Sequence, residues 1–382
     1  MTEPFELIAM PASREPVSLL AVDRAIAELR RGRIIVIRGG GGRSILAQTA
    51  EAATPAGLTQ LRDMTAAEPV LAVTLRRASV LGLAKTAAAV VTVSVPGRLD
   101  APLVNALADP LSEMPDGSRP RLKAADAQPF SCESAAVQLA KHARLLPAVI
   151  VVALELPEKD DVVAWSTRHD LLMVDAGDIF QYDNTAGRTL RAVSEARVPL
   201  ADAENTRIIA FRPLDGGVEH LAIIIGEPDP TKPVLARIHS DCFTGDLLGS
   251  LRCDCGDQLR GAIAEIASGG TGILIYLAQE GRGIGLVNKL RAYQLQDRGF
   301  DTLDANEQLG FDADERVYIP AARMLRQLGF AKVRLLTNNP EKVAALARWG
   351  VDVVERVPHA FPANKHNERY LRTKATRGGH SF

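Results

Sequence analysis

Apolar positions along the chain recur at two spacings, and these divide it into helices and strands. Within 23–31, Ala25, Ile26 and Leu29 share one face of a predicted helix that Gly32 ends, and 33–37 follows as a buried strand. Gly39 to Gly42 and an Ala/Thr stretch without a clear pattern come next. The apolar runs 70–75, 88–95, 148–154 and 171–174 are predicted strands, and 134–143 and 160–169 predicted helices. They make one α/β or α+β domain ending near residue 200.

Residues 207–211, 217–225 and 234–238 are predicted to be consecutive strands joined by short turns, and they open a second domain. In 257–268, Leu259, Ile263 and Ile266 share a helical face that Gly269 and Gly270 stop. A strand over 273–277, a helix over 319–328 ended by Gly329 and a strand over 333–336 follow. Asn339 suits an N-cap and Pro340 the first turn of a helix running to Trp349, with Gly350 beyond it and a strand over 351–354. The expected fold class is α+β in two domains: an N-terminal α/β domain over 1–200 and a mixed α+β domain over 205–362. A polar, basic tail over 363–382 is expected to be partly disordered.

A length of 382 residues suits two domains, and a hydrophobic content of 47% supplies their cores. The net charge of −1 argues against a dedicated nucleic-acid binder but not against a local phosphate pocket. No apolar run approaches the roughly 18 residues of a membrane span, so no membrane partner is expected. The first 16 residues lack the order of a secretory signal. Three of the four cysteines crowd together, which points to metal binding or catalysis sooner than to disulfides, and to a cytoplasmic protein.

Cys242, Cys253 and Cys255 are spaced C-x10-C-x-C. Three thiolates would leave the fourth tetrahedral position of a zinc ion open for water. A structural zinc closed by His239 and plain buried thiols fit the same spacing. Glu280-Gly281-Arg282-Gly283 follows a strand closely, so its backbone could approach an anion, although a tight structural turn would look alike. Lys289 and Arg291 sit behind it and read equally as solvated helix charges. Asp314 and Arg316, two residues apart, could serve as base and phosphate clamp or form a surface ion-pair cluster. Thr337 and Lys342 flank a helix N-terminus, a natural anion site but also an ordinary capped helix.

Read in order, Arg237-Ile238-His239-Ser240-Asp241-Cys242, Ser250 to Gly256, Gln279 to Arg282, Asn288 to Tyr293, Leu309 to Phe311 with Asp314-Glu315-Arg316, and Leu335 to Pro340 resemble GTP cyclohydrolase II. The resemblance implies that Cys242, Cys253 and Cys255 hold one Zn²⁺ per chain. Zinc-activated water would open the guanine imidazole ring of GTP and release formate. Arg237, Ile238, His239, Ser240, Asp241, Gln258, Glu280, Gly281, Arg282, Tyr293, Thr302, Thr337 and Lys342 would contact GTP, with Mg²⁺ on the triphosphate. Asp314 would accept a proton. Arg316 would be the nucleophile toward the α-phosphate as pyrophosphate leaves; a guanidinium is a poor nucleophile, and a transition-state clamp is an equally good physical role for it. A homodimer is implied. The family usually has Glu where Asp241 stands and often Arg where Ala278 stands, departures that bear on affinity more than on chemistry. Two alternatives are a paralogue acting on another ring substrate and a non-catalytic nucleotide-binding protein with structural zinc.

The first domain resembles 3,4-dihydroxy-2-butanone-4-phosphate synthase through Ala25 to Leu29 with Gly32-Arg33, Ala135 to Ala140, and His169 to Val174. That family's acidic loop is replaced here by Arg38-Gly39-Gly40-Gly41-Gly42-Arg43. Cys132 and Ser134 stand where its histidine and glutamate would be. A hard cation needs oxygen ligands, so synthase activity is expected to be absent and Cys132 to be an inert buried thiol.

Overall fold

A computed structural model describes residues 14–83, 88–114, 121–157 and 161–362 of the protein. The expected tail over 363–382 lies outside them. Two compact units divide the chain: Met1–Tyr182 with Val287–Asp314, and Asp183–Leu286 with Glu315–Phe382. Residues 287–314, sequence neighbours of the cysteine motif, thus belong to the first unit.

The first unit is built on the strands β1 (Ile35–Arg38), β2 (Ser44–Thr49), β3 (Val70–Thr74), β4 (Val90–Ser94), β5 (Lys123–Asp126), β6 (Ala148–Ala153) and β7 (Leu172–Asp175), in the order β5-β4-β3-β6-β2-β1-β7. Only β1 and β7 run parallel, so of the two descriptions open for this domain the α+β one applies. Successive strand side chains point to opposite faces. Ile35 and Ile37 pack with Val22, Leu29 and Leu139 of the helices Glu15–Arg30 and Cys132–His142. Val36 and Leu46 pack with Leu58, Leu61 and Leu107 of the helices Pro55–Thr65 and Ala101–Ala108 on the other face. Because both faces are covered, β2 is buried at every position. Its residues therefore show no alternation, and its sequence looked patternless. The first helix begins at Glu15 rather than near residue 23, with Pro at its start and Leu19 and Val22 extending the buried face.

The second unit's strands are β8 (Arg191–Arg197), β9 (Thr206–Arg212), β10 (His220–Ile225), β11 (Val234–Ser240), β12 (Gly272–Leu277), β13 (Lys332–Leu336) and β14 (Asp352–Val357), in the order β14-β13-β11-β12-β10-β9-β8. β9, β10 and β11 follow one another along the chain as expected, but β11 does not neighbour β10 in the sheet. β12 lies between them, antiparallel to β10 and parallel to β11. β8, expected in the first domain, is an exposed strand paired with β9. The helix Cys255–Ser268 joins β11 to β12, and the helix Pro340–Arg348 joins β13 to β14. The parallel set β12-β11-β13 brings the C-terminal ends of three strands together, with Ser240 opposite Leu277. Segments leaving such ends are where α/β sheets gather ligand-binding groups. Among the described residues no helix is long and apolar enough to cross a membrane.

Candidate functional site

Beyond β11 the chain makes a π-type turn over Phe243–Leu247 that turns the cysteines toward one another. The three Sγ atoms all lie within 4.8 Å of one another, and those of Cys242 and Cys253 are 3.7 Å apart. Among the described residues this is the group of side chains compatible with a metal ion. Gly245 makes the packing feasible. A Cβ there would stand 2.7 Å from the Cys253 Sγ and 3.0 Å from the Cys242 Sγ. The Gly245 N–H instead donates to the Cys242 sulfur at 3.3 Å. Cys255 opens a helix, whose N-terminal end favours a thiolate. Without a cation the thiols oppose one another's ionisation. Cys253 is pushed up to about 11, first by its hydrogen bond with Cys242, and Cys255 is raised further by Cys242 and Cys253.

His239 is not a fourth ligand. Its Nε2 faces both carboxylate oxygens of Asp246 at 3.1 Å, and its ring stacks on Tyr276. Burial lowers its pKa, so the ring is neutral at pH 7. Asp246 also accepts from the Cys242 N–H at 3.0 Å and the Tyr276 hydroxyl at 2.9 Å. One carboxylate thus ties the strand end to the backbone of Cys242.

Of the remaining residues expected at the site, six are buried: Arg237, Ile238, His239, Glu280, Thr337 and Lys342. Arg237 donates to the Leu336 carbonyl at 2.9 Å and to Gln258 Oε1 at 2.5 Å, and Gln258 donates to Asp254. Burial lowers the Arg237 guanidinium to about 10, which leaves it charged at neutral pH. The Lys342 ammonium donates to the Ile238 carbonyl at 2.8 Å. The Thr337 hydroxyl accepts from the Asn339 N–H at 3.0 Å, and Asn339 caps the next helix through the Glu341 N–H. Glu280 accepts from the Phe243 N–H at 2.6 Å and the Gly281 N–H at 2.9 Å. These side chains fasten the strand ends to one another.

Ser240, Asp241, Gln258, Gly281, Arg282 and Arg316 are partly exposed in the same unit. Gly281 and Arg282 both adopt left-handed backbone, φ 65° and 63°, a conformation unfavourable for arginine. The Arg282 carbonyl accepts from the Glu315 N–H at 3.1 Å, which sets the 280–283 turn against the irregular segment leading to Arg316. The Arg316 guanidinium lies 5.7 Å from the centre of the Tyr318 ring. Tyr293, Thr302 and Asp314, also partly exposed, belong to the first unit. Tyr293 lies under the Lys289 ammonium at 5.7 Å, and Thr302 opens a helix capped by Asp301. Sequence reasoning assigned no role to Asp246, Asp254 or Gly245. Asp246 could have been found, because it stands inside the cysteine motif, four residues past Cys242.

In the first unit, the replaced synthase loop and Cys132 do meet. A Cβ on Gly39 would stand 2.6 Å from the Cys132 Sγ. Arg38 makes a bidentate pair with Asp175 at 2.6 and 2.9 Å, and Arg43 pairs with Glu133 at 3.7 Å.

The family model for GTP cyclohydrolase II matches residues 191–358. A curated GTP cyclohydrolase-2 of Azospirillum brasilense is 60% identical over 369 residues, covering 96% of this chain and 95% of its own. The riboflavin biosynthesis protein RibBA of Cytophaga hutchinsonii is 40% identical, covering 73% of this chain and 72% of its own. Among solved structures, RibBX of A. baumannii, a two-domain 3,4-dihydroxy-2-butanone 4-phosphate synthase, covers 89% of this chain and 99% of its own at 16% identity. Its TM-score of 0.37 is too low to bear on fold or activity. With a curated relative sharing more than half its residues along nearly the whole length, the chain belongs to the GTP cyclohydrolase II family.

Proposed function

We propose that this protein is a zinc-dependent GTP cyclohydrolase II. It opens the imidazole ring of GTP and releases formate and pyrophosphate to give 2,5-diamino-6-(5-phosphoribosylamino)pyrimidin-4(3H)-one, the first step of riboflavin biosynthesis. The observation that carries this is the sulfur geometry. Two thiolates on a tetrahedral zinc at about 2.3 Å stand about 3.8 Å apart, and the Cys242 and Cys253 sulfurs are 3.7 Å apart. His239, engaged with Asp246, leaves a three-sulfur donor set, which suits a site with an open position. Zinc, when bound there, supplies a water acidic enough to attack the base at neutral pH.

The chain's own residues supply the rest. Arg282 and Arg316 are guanidiniums suited to phosphate charge, with Mg²⁺ as counterion on the triphosphate. Asp314 accepts the proton that the attacking water gives up, and the ring nitrogen takes one up as the C–N bond breaks. Arg237 and Lys342, charged beneath the β11 end, add positive potential behind the nucleotide while keeping that end in place. Asp241, partly exposed beside Cys242, is taken as a GTP contact. The working form is a cytoplasmic homodimer. The first unit performs no synthase reaction, since Asp175 and Glu133 beside the former loop are spent on Arg38 and Arg43.

Purified, zinc-loaded protein incubated with GTP and Mg²⁺ should release formate and pyrophosphate, and Cys253→Ser should release neither. Protein holding one zinc per chain that leaves GTP unchanged would overturn the proposal.

A further inference from the structure

The segment 287–314 lies between two stretches of the cysteine-bearing unit, yet its packing partners are in the first unit. Attachments along its length hold it. The Asn288 side chain, with no exposed surface, donates to the Arg144 carbonyl at 3.0 Å. Arg291 pairs with Glu51 at 3.0 Å and with Asp109 at 3.3 Å. At the far end the Thr74 hydroxyl donates to the Gly310 carbonyl at 2.6 Å. Buried Arg77 donates to the Gln308 carbonyl at 2.9 Å and, from the same guanidinium, to the Leu107 carbonyl at 2.7 Å. A Cβ on Gly310, where φ is 89°, would meet Thr74, Pro147 and Arg77 at 3.0–3.2 Å, so the chain is seated closely there. Two residues later, Asp312 pairs with Arg76 at 3.0 Å and with Lys141 at 3.6 Å, and Arg76 also reaches Glu307 at 3.2 Å.

Arg76, Arg77 and Lys141 come from the synthase-like domain, and nothing in the synthase resemblance calls for them. Their partners lie two to seven residues before Asp314. We propose, resting on Asp314 as the proton acceptor of the cyclohydrolase, that the first unit is retained as a clamp. In this assignment Arg76, Arg77 and Lys141 are positioning residues that fix the 307–312 segment and so the direction of the Asp314 carboxylate. Guanidinium and ammonium suit the task because they bind carboxylates and carbonyls together, and Arg77 spans Leu107 and Gln308 from one buried planar group.

The test uses the full chain, zinc-loaded, with steady-state kinetics on GTP. Arg76→Ala and Lys141→Ala change partly exposed or edge-lying groups and keep the core intact. Combined, they should lower kcat by about tenfold or more, because small misplacement of a catalytic group is costly in rate. KM for GTP should change less than about threefold and zinc stoichiometry not at all. Arg76→Lys in place of Arg76→Ala should restore most of the rate, which loss of stability alone would not explain. Arg77→Ala should show the same kcat-selective loss where it folds. Unchanged kcat in the double variant would overturn the clamp. Loss of kcat matched by loss of zinc or of thermal stability would also overturn it, in favour of a merely structural contact. Asp314→Asn separates this from the underlying assignment: retention of turnover there removes Asp314 as acceptor, whereas its loss with an active double variant removes only the clamp.

Discussion

The imidazole of His239 and the carboxylate of Asp246 face each other at 3.1 Å in a buried setting, and Asp246 reaches from there to the Cys242 N–H. An ionised carboxylate can only accept, so the ring must present its proton on Nε2. Nδ1, buried without a hydrogen-bond partner, is then a bare acceptor. The pair therefore has a fixed polarity, and the first cysteine inherits its backbone position from it.

That polarity gives the first prediction. Asp246→Asn keeps the size but turns one oxygen into an amide. With the Asn oxygen kept on the Cys242 N–H, its amide nitrogen stands beside Nε2, donor against donor. Such a mismatch costs about 1–3 kcal/mol, and outer partners of metal ligands commonly influence affinity by about 10–100-fold. Zinc affinity, measured by competition with a chromogenic chelator, should fall within that range. Unaltered affinity would show that Asp246 does not hold the cysteine turn.

Gly245→Ala tests the sulfur packing directly. The new Cβ would stand 2.7 Å from the Cys253 Sγ and 2.9 Å from the Cys255 Cβ, and neither atom is the end of a flexible chain. The turn must open, which pulls sulfurs apart that zinc needs about 3.8 Å from one another. The variant should purify with well under one zinc per chain and release little formate. Full zinc occupancy by elemental analysis would refute the tight cradle.

The cysteine turn was legible in the sequence because its chemistry depends on spacing within 14 residues, from Cys242 to Cys255. Caps were legible too: Asn339 accepts from the Glu341 N–H, and Gly350 takes positive φ just beyond the helix. What the sequence did not disclose was pairing at a distance. β2 gave no alternation because helices cover both its faces. β8 was assigned to the wrong side of the boundary because an exposed edge strand has no apolar face to mark its sheet. The attachment of 287–314 to the first unit depends on Thr74, Arg76 and Arg77, more than 200 residues away in the chain, and no local period encodes such contacts.

Cys132 gives a prediction in pH. Burial, aided by Glu133 and opposed by Arg43, pushes its thiol from an ordinary 9.0 up to about 11. Its pKa is raised on folding, so its contribution to stability is complete below about pH 9 and is lost as pH climbs toward 11. The loss is at most about 2–3 kcal/mol. Denaturant unfolding should therefore show a steeper decline between those limits for the parent protein than for Cys132→Ala. Near pH 8 Cys132 should resist alkylation by iodoacetamide while the protein is folded. Rapid labelling, or parallel pH curves for the two proteins, would mean that the thiol is neither shielded nor perturbed.

Glu280 separates substrate contact from scaffold. The family resemblance makes it a GTP contact, but its carboxylate is buried and accepts from the Phe243 N–H at 2.6 Å and from the Gly281 N–H at 2.9 Å. The first bond holds the residue after Cys242. The second shapes the turn in which Gly281 and Arg282 adopt left-handed backbone. Glu280→Gln would leave one N–H facing an amide nitrogen, a buried mismatch of about 1–3 kcal/mol. A scaffold residue should therefore lower thermal stability and zinc retention together with turnover, since both ends of its grip are backbone. A residue whose work is only to bind nucleotide should raise KM for GTP and leave zinc content and melting temperature where they were. The geometry favours the first pattern, and kinetics paired with zinc analysis on the one variant decides between them.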